Sequence, residues 1–247
     1  MIFYNSLGKN GRLGNQMFQY AALKGIARKH GYQYAIPPST VPETHQLRRV
    51  FKLSEDVVYE TSNLPTVTER SFHFDKDLFE YCPDNVNVNG YLQSYKYFDH
   101  IKDEIVKDFT MKKQYDLLQY EYCSIHIRRT DYLGLSSHHP VCDMDYYNAA
   151  IEAIGKDIPL VIVSDDINWC KDNINAEWYS DGNDPNKDLH IMMNAKYNII
   201  ANSSFSWWGA WLNQNPEKIV VCPKNWFGPA YSHYNMNDLR PEDWIQL

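Results

Sequence analysis

At 247 residues the chain is long enough for one large domain or two small ones, and its 44% hydrophobic content is that of a globular protein. The formal net charge of −7 argues against a nucleic-acid partner, whose phosphates demand a basic face, and against broad adhesion to anionic lipid. A phosphate ligand therefore needs positive charge that is placed locally.

The first apolar run, Met1 to Tyr4, reads as a buried strand. A turn rich in Gly and Lys/Arg follows (Gly8, Lys9, Asn10, Gly11, Arg12, Gly14). Residues 15–31 read as a helix, with Met17, Tyr20, Ala21, Leu23, Lys24, Ala27 and His30 at helical spacing and Gly31 as the stop. Tyr32 to Ile36 is a second strand, ended by Pro37 and Pro38, so the opening segment is a βαβ unit. Residues 39–95 carry only short strand candidates at 57–59, 67–72 and 86–88. The stretch 95–111, with Phe98, Ile101, Ile105, Val106 and Phe109 at i, i+3, i+4 intervals, predicts one helix.

From Cys123 the alternation becomes regular. A strand at 123–128 leads into a polar loop at 130–140, and Asp143 can N-cap a helix running to about Lys156. Strands follow at 159–164, 177–179, 197–201 and 218–222, the last clear one, with a helix at 186–196 and another opened by Ser203 and Ser204. This β-α-β-α order implies a doubly wound parallel sheet. Two α/β halves result, 1–113 and 114–247, and a cleft between two such domains is a usual place for a nucleotide-like ligand.

Three strings can carry chemistry. In Ser124 to Asp131, Arg128 and Arg129 arrive where a strand ends, the edge at which open α/β sheets bind ligands. A guanidinium fork matches phosphate oxygens there; the alternative is a surface arginine salt-bridged to Asp131. The Gly-rich turn before Asn15 lets backbone approach a ligand at a helix N-terminus, or is a tight turn with no ligand. Asn202 to Trp208 offers hydroxyls and unpaired N–H groups at a helix start, an anion site or simple N-capping by Ser203 or Ser204. Core packing suits Trp207, Trp208 and Trp211.

The acidic and histidine residues have alternatives as well. Asp165 and Asp166 end a strand and could face the crevice. Asp188 opens a helix, as a cap or dipole partner, or as a carboxylate accepting the N1–H and N2–H pair of guanine. His126 points away from the face of Ile125 and Ile127; a satisfied, semi-buried histidine is the common outcome for such a position. His138, His139 and Asp131 are candidates for a base, with structural roles open to each. No Asp, Glu or His cluster has metal spacing. The five cysteines (Cys82, Cys123, Cys142, Cys170, Cys222) are odd in number and lack CxxC spacing, so neither a disulfide framework nor a zinc site follows. No signal peptide or spanning segment is evident, which makes cytoplasm the expected location, with peripheral contact at the inner face of the membrane as a variant.

Four strings occur together in one order. They are Gly11-Arg12-Leu13-Gly14-Asn15-Gln16-Met17-Phe18-Gln19-Tyr20, His126-Ile127-Arg128-Arg129-Thr130-Asp131-Tyr132, Ser164-Asp165-Asp166 with Trp169-Cys170, and Asn202 to Trp211. The set resembles the bacterial α-1,2-fucosyltransferases of glycosyltransferase family 11. That resemblance implies a GT-B-like α/β fold of two Rossmann-like domains facing a cleft, the N-terminal one on the acceptor side and the C-terminal one, a doubly wound parallel sheet, for GDP-fucose. It implies inverting transfer of L-fucose from GDP-β-L-fucose, without metal or other cofactor, to O2 of a terminal β-galactose in an oligosaccharide or lipid-linked glycan. By similarity to other GDP-fucose enzymes, Arg128 is assigned to the β-phosphate, His126 and Asp188 to guanine, and Ser203, Ser204 and Phe205 to the pyrophosphate. Gly14 is assigned to donor binding and Asn15 to the donor's reacting end, making Asn15 and Arg128 the catalytic pair. The alternatives are a transferase of another sugar or linkage, and an inactive nucleotide-sugar-binding module.

Overall fold

Short apolar runs between turn residues make buried parallel strands, and the connections between them are long enough to be helical. The computed structural model describes residues 1–38, 46–155 and 157–247. It divides into two units, Met1–Lys113 with Tyr234–Pro241, and Gln114–His233 with Glu242–Leu247.

In the first unit, β1 (Ile2–Phe3), α1 (Leu13–His30), β2 (Tyr34–Ile36), α2 (Leu47–Val50), β3 (Val58–Tyr59), β4 (Thr66–Thr68), α3 (Lys76–Tyr81), β5 (Val86–Asn89) and α4 (Lys102–Asp108) follow in chain order. Their sheet runs β3-β2-β1-β5-β4, with every pairing parallel. The helix α1 is buried along most of its length. Its Lys24, 1% exposed, is tolerated there because Asp108 accepts from Nζ at 2.7 Å and Glu104 lies 3.2 Å away.

The single helix expected over 95–111 is not formed. Two 3₁₀ turns, Tyr95–Tyr97 and Asp99–Ile101, precede α4. Phe98 leaves helical geometry at φ −134° and ψ 4°. The Tyr97 carbonyl seats against Gly25 of α1, where a Cβ would stand only 1.9 Å away. This tertiary contact overrides the helical pattern of the apolar residues. The tail also departs from the expected boundary. Residues 234–241, assigned by sequence to the C-terminal half, belong to the first unit. Tyr234 stacks on Phe72 at 5.0 Å, and Asp238 pairs with Lys96.

The second unit contains β6 (Cys123–Ile127), α5 (Met144–Ile154), β7 (Leu160–Ser164), α6 (Ile167–Asn173), β8 (Trp178–Tyr179), α7 (Pro185–Met193), β9 (Tyr197–Ile199), α8 (Ser204–Trp211), β10 (Val220–Cys222) and β11 (Ile245–Gln246). Asp143 caps α5 by accepting from the Tyr146 amide at 2.9 Å. Lys156, where that helix was expected to end, lies outside the described residues. The sheet runs β11-β10-β9-β6-β7-β8, all parallel, so β11 is a strand beyond the last one expected. The first strand of this unit sits mid-sheet and successive strands are added to one side and then the other, the doubly wound order. Ile125, Ile127, Ile162, Ile199 and Val221 form the core with Tyr147 and Cys170. The Trp207, Trp208 and Trp211 rings are buried in mutual contact. Among the described residues no helix is long and apolar enough to cross a membrane.

Candidate active site

In a doubly wound sheet the crevice opens at the carboxyl ends of the strands where the winding reverses. In the second unit that point lies between β6 and β9, which pair directly. Arg128 leaves the end of β6, and Ser203 and Ser204 start α8 just after β9. The topology thus brings together two strings separated by some seventy residues.

Arg128 is held from both sides. Its Nη1 lies 3.0 Å from Asp165 Oδ2 and its Nη2 lies 2.6 Å from Asp131 Oδ1, with the guanidinium 5.6 Å from the Tyr132 ring centre. The ion pair with Asp131 is therefore present, and Asp165 is a second partner. Asp165 also accepts from the Arg129 amide at 2.9 Å, the Thr130 amide at 3.1 Å and the Thr130 hydroxyl, so it organises the loop after β6. Arg129 lies over the Trp169 ring at 3.8 Å, and its Nε meets Asp166 at 3.2 Å. Asp166 caps α6 through the Trp169 amide. Among the described residues no group of three or more His, Cys, Asp or Glu side chains is arranged to hold a metal ion.

At the start of α8, Ser203 Oγ accepts from the Phe205 amide at 3.3 Å, so the capping role is real. Asn202 fixes the approach by donating to the carbonyls of Pro140 at 2.9 Å and Trp226 at 3.0 Å. Phe205 reaches across to β6, its ring centre 5.9 Å from that of His126. His126 is 6% exposed, and its Nδ1 is buried without a partner. The satisfied histidine expected at this position is thus not what forms. Burial pushes its pKa down to about 4; Asp165 opposes the change and Arg128 reinforces it. The imidazole is neutral at neutral pH, ready to donate or accept.

Asp188 is not the cap of α7. That task falls to Asp184, whose Oδ1 accepts from the Asn186 and Lys187 amides at 3.1 and 3.4 Å. Asp188 sits one turn in, 8% exposed, and burial pushes its pKa up to about 7, helped by Asp181 and Asp184 and opposed by Ser180 and Lys187. The Ser180 hydroxyl is close enough to oppose the shift, yet its Oγ is buried without a well-formed hydrogen bond. Sequence reasoning missed Ser180; its only signal was a Ser-Asp-Gly turn after a strand. A cavity of about 460 Å³ at the ends of β7 and β8 is lined by Asp165, Asp166, Lys171, Ser180 and Asp181. It joins the residue that holds Arg128 to the neighbours of Asp188.

Among the candidate bases, Asp131 is engaged by Arg128, and His138 Nδ1 lies 2.9 Å from Ser137 Oγ. His139 stacks on Tyr132 with its Nδ1 buried and unpartnered, and burial lowers its pKa.

Gly14 and Asn15 belong to the first unit, in the first turn of α1. There the winding reverses between β1 and β5, and the Gly-rich turn leaves the end of β1. Gly11 has φ +104°, and a Cβ on it would fall 2.1 Å from Asn15 Nδ2, so a glycine is needed for Asn15 to sit as it does. Gln93 Nε2 donates to Asn15 Oδ1 at 2.8 Å and fixes the amide.

Two α/β units, each built on a parallel sheet, define the GT-B class of glycosyltransferase architecture. In line with this, the structure resembles that of POFUT1 in complex with GDP-fucose, with a TM-score of 0.52 over 89% of this chain and 96% of that one at 12% identity. Residues 2–247 match the model of glycosyl transferase family 11, and the chain belongs to that family. An alpha-1,2-colitosyltransferase of Escherichia coli is 29% identical, with 96% of each chain covered. The galactoside alpha-(1,2)-fucosyltransferase 2 of Sus scrofa is 27% identical over 82% of this chain and 67% of its own. The O-antigen biosynthesis glycosyltransferase WbnK of Escherichia coli is 39% identical over 50% of this chain and 44% of its own.

Proposed function

We propose that this family 11 glycosyltransferase moves L-fucose from GDP-β-L-fucose to O2 of a terminal β-galactose, with inversion and without a metal ion. The observation that carries the reading is the convergence of Arg128 and the start of α8 at one switch point, with His126 and Phe205 in contact between them. The departing diphosphate needs fixed positive groups. Arg128 and the positive end of the α8 dipole supply them without reorganising, as an oxyanion hole does. His126 and ionised Asp188 read the guanine, and the Ser203 and Ser204 hydroxyls add donors to the pyrophosphate. Gly14 contributes to donor binding, and Asn15 approaches the reacting end of the sugar. Asp165 and Asp166 are engaged with the two arginines and the Thr130 loop, which favours arginine over a metal pair as the counter-charge. The acceptor is a β-galactoside oligosaccharide or a lipid-linked glycan.

A second donor has specific support, because a relative covered almost end to end is an alpha-1,2-colitosyltransferase. Colitose is fucose without its 3-hydroxyl, so the two donors differ at one group. Incubating the protein with lactose and GDP-fucose, GDP-colitose, UDP-sugars or ADP-sugars, followed by NMR of the product, tests the reading. An α-1,2-fucoside is the expected product. A colitoside formed in preference changes the donor, a β-linkage removes inversion, and an α-1,3 or α-1,4 linkage removes only the acceptor assignment. GDP binding with no product from any donor or acceptor leaves a binding module.

A further inference from the structure

Glu69 follows directly on β4, at the carboxyl edge of the first sheet, and Gly90 follows β5, the strand that pairs with both β4 and β1. The ladder extends to it: the Glu69 amide donates to the Asn89 carbonyl at 2.8 Å. The side chain then crosses Gly90, where a Cβ would stand 2.6 Å from Cβ of Glu69 and 2.9 Å from its Oε2. The carboxylate thus occupies the space that a side chain at position 90 would need. Its Oε2 accepts from the Leu92 amide at 2.9 Å, and Tyr97 donates to Oε1 at 3.1 Å. Tyr4, first after β1, donates its hydroxyl to the Gly90 carbonyl. Gln93, next to Leu92, holds Asn15. One loop, 90–93, is therefore tied by Glu69 and Tyr4 at one end and by Asn15 at the other.

These bonds orient Glu69 without sealing it. The residue is partly exposed, and the neighbouring Tyr91 is 47% exposed. The Leu92 and Tyr91 amides and the Tyr97 hydroxyl are its donors, against about four acceptor positions on a carboxylate. The titratable groups that face it are Asp75, Tyr97 and Tyr4. Asp75 is engaged by Arg70, and burial pushes Tyr4 and Tyr97 further up, so both stay neutral. Burial, reinforced by Asp75, raises the Glu69 carboxyl to about 7, with the amides and Tyr97 opposing.

We infer that Glu69 is the general base of the transfer, its carboxylate taking the proton of the acceptor hydroxyl as that oxygen attacks the anomeric carbon. The inference rests on the reading of this chain as a GDP-sugar transferase. The acceptor O–H bond breaks, and its oxygen bonds to the anomeric carbon. The bond from that carbon to the β-phosphate oxygen breaks, and its electron pair leaves on GDP. The proton stays on Glu69 and passes to solvent before the next turnover. A base that titrates near the working pH is close to optimal for this step. The same loop, 90–93, fixes both Glu69 and Asn15.

The test is kcat against pH, with donor and acceptor saturating, for the wild type, Glu69→Gln and Tyr97→Phe. Saturation matters because burial also pushes Asp188 up to about 7, and the proposed function gives that carboxylate to the donor. Wild-type kcat should rise with pH through about 7. Glu69→Gln should lose roughly 10²- to 10⁴-fold in kcat, keep its GDP affinity within about twofold, and lose the rising limb. Tyr97→Phe removes a hydrogen bond that favours the carboxylate, so its rising limb should move to higher pH. That variant carries the test alone if Glu69→Gln does not fold. Glu69→Gln turning over within about fivefold of wild type, or an unmoved limb in Tyr97→Phe, overturns the assignment. A wild type that transfers no sugar from GDP-fucose or GDP-colitose overturns the transferase reading first, and this outcome is recognised before any variant is made.

Discussion

Replacing Asp188 by asparagine should stabilise the ligand-free second unit at alkaline pH and weaken its hold on GDP. The side chain is 8% exposed, and its pKa stands near 7 in place of 3.8. A carboxyl raised in this way holds its proton more tightly folded than unfolded. Its contribution is intact below about pH 4, declines as pH rises from there to about 7, and is fully lost above that. At pH 8 the ionised group costs the folded state about 2–4 kcal/mol. Asparagine has no such cost, and at about 2–4 °C per kcal/mol the unfolding midpoint should rise by roughly 4–16 °C at pH 8. Near pH 4 the two proteins should melt together. An asparagine amide accepts one guanine donor and leaves the other unpaired, at about 1–3 kcal/mol, so GDP affinity should fall roughly 5- to 150-fold. All seven tryptophans belong to the second unit, so their fluorescence follows its unfolding alone. Melts at pH 4 and 8, with GDP and ADP titrations by calorimetry, give both readouts. Equal midpoints at pH 8 together with unchanged GDP/ADP preference would refute a carboxylate held at a cost in order to read guanine.

Arg128→Ala should abolish transfer while folding survives, because Asp165 remains held by the Arg129 and Thr130 amides; Arg128→Lys should still lose roughly 10²-fold in kcat, since an ammonium lacks the fork. Steady-state turnover checks both, and near-wild-type rates in the lysine variant remove the phosphate role. Activity should persist in EDTA; loss that Mn²⁺ or Mg²⁺ restores reverses that expectation. Asn15→Ala should lower kcat more than GDP affinity, the signature of a contact made chiefly in the transition state, and a change confined to GDP affinity would move Asn15 to ground-state binding.

Most of the second unit was legible in the sequence because its elements are long or continuous. The strand β6 is buried at every position and its alternation marked it as a strand, and Asp143 and Ser203 mark helix starts by local chemistry, as Gly31 marks the end of α1 in the first unit. What stayed hidden depends on partners distant in sequence. The strand β11 has two residues and exists because it pairs with β10. The return of residues 234–241 to the first unit rests on Phe72 and Lys96, far back in the chain. Asp188 was visible as a helix-start carboxylate, but only the structure separates it from Asp184, the true cap. Glu69 carries no motif; its setting comes from β4, Gly90 and Tyr97, which meet only in the folded unit.

The arginine string raised two readings, a phosphate ligand and an ion pair with Asp131, and the geometry makes them compatible. A largely buried guanidinium needs counter-charge when no anion is bound. Asp165 meets one edge of the fork and Asp131 the other. Their surroundings differ. Asp165 is tied to the backbone of residues 129 and 130, whereas Asp131 is more exposed, at 37% of its side chain against 18%. A planar fork with donors on both edges can keep the Asp165 contact while a diphosphate oxygen replaces Asp131, with no turn of the side chain. The carboxylates that neutralise Arg128 thereby aim it, and a donor aimed in advance is what stabilises charge as it develops on a leaving group.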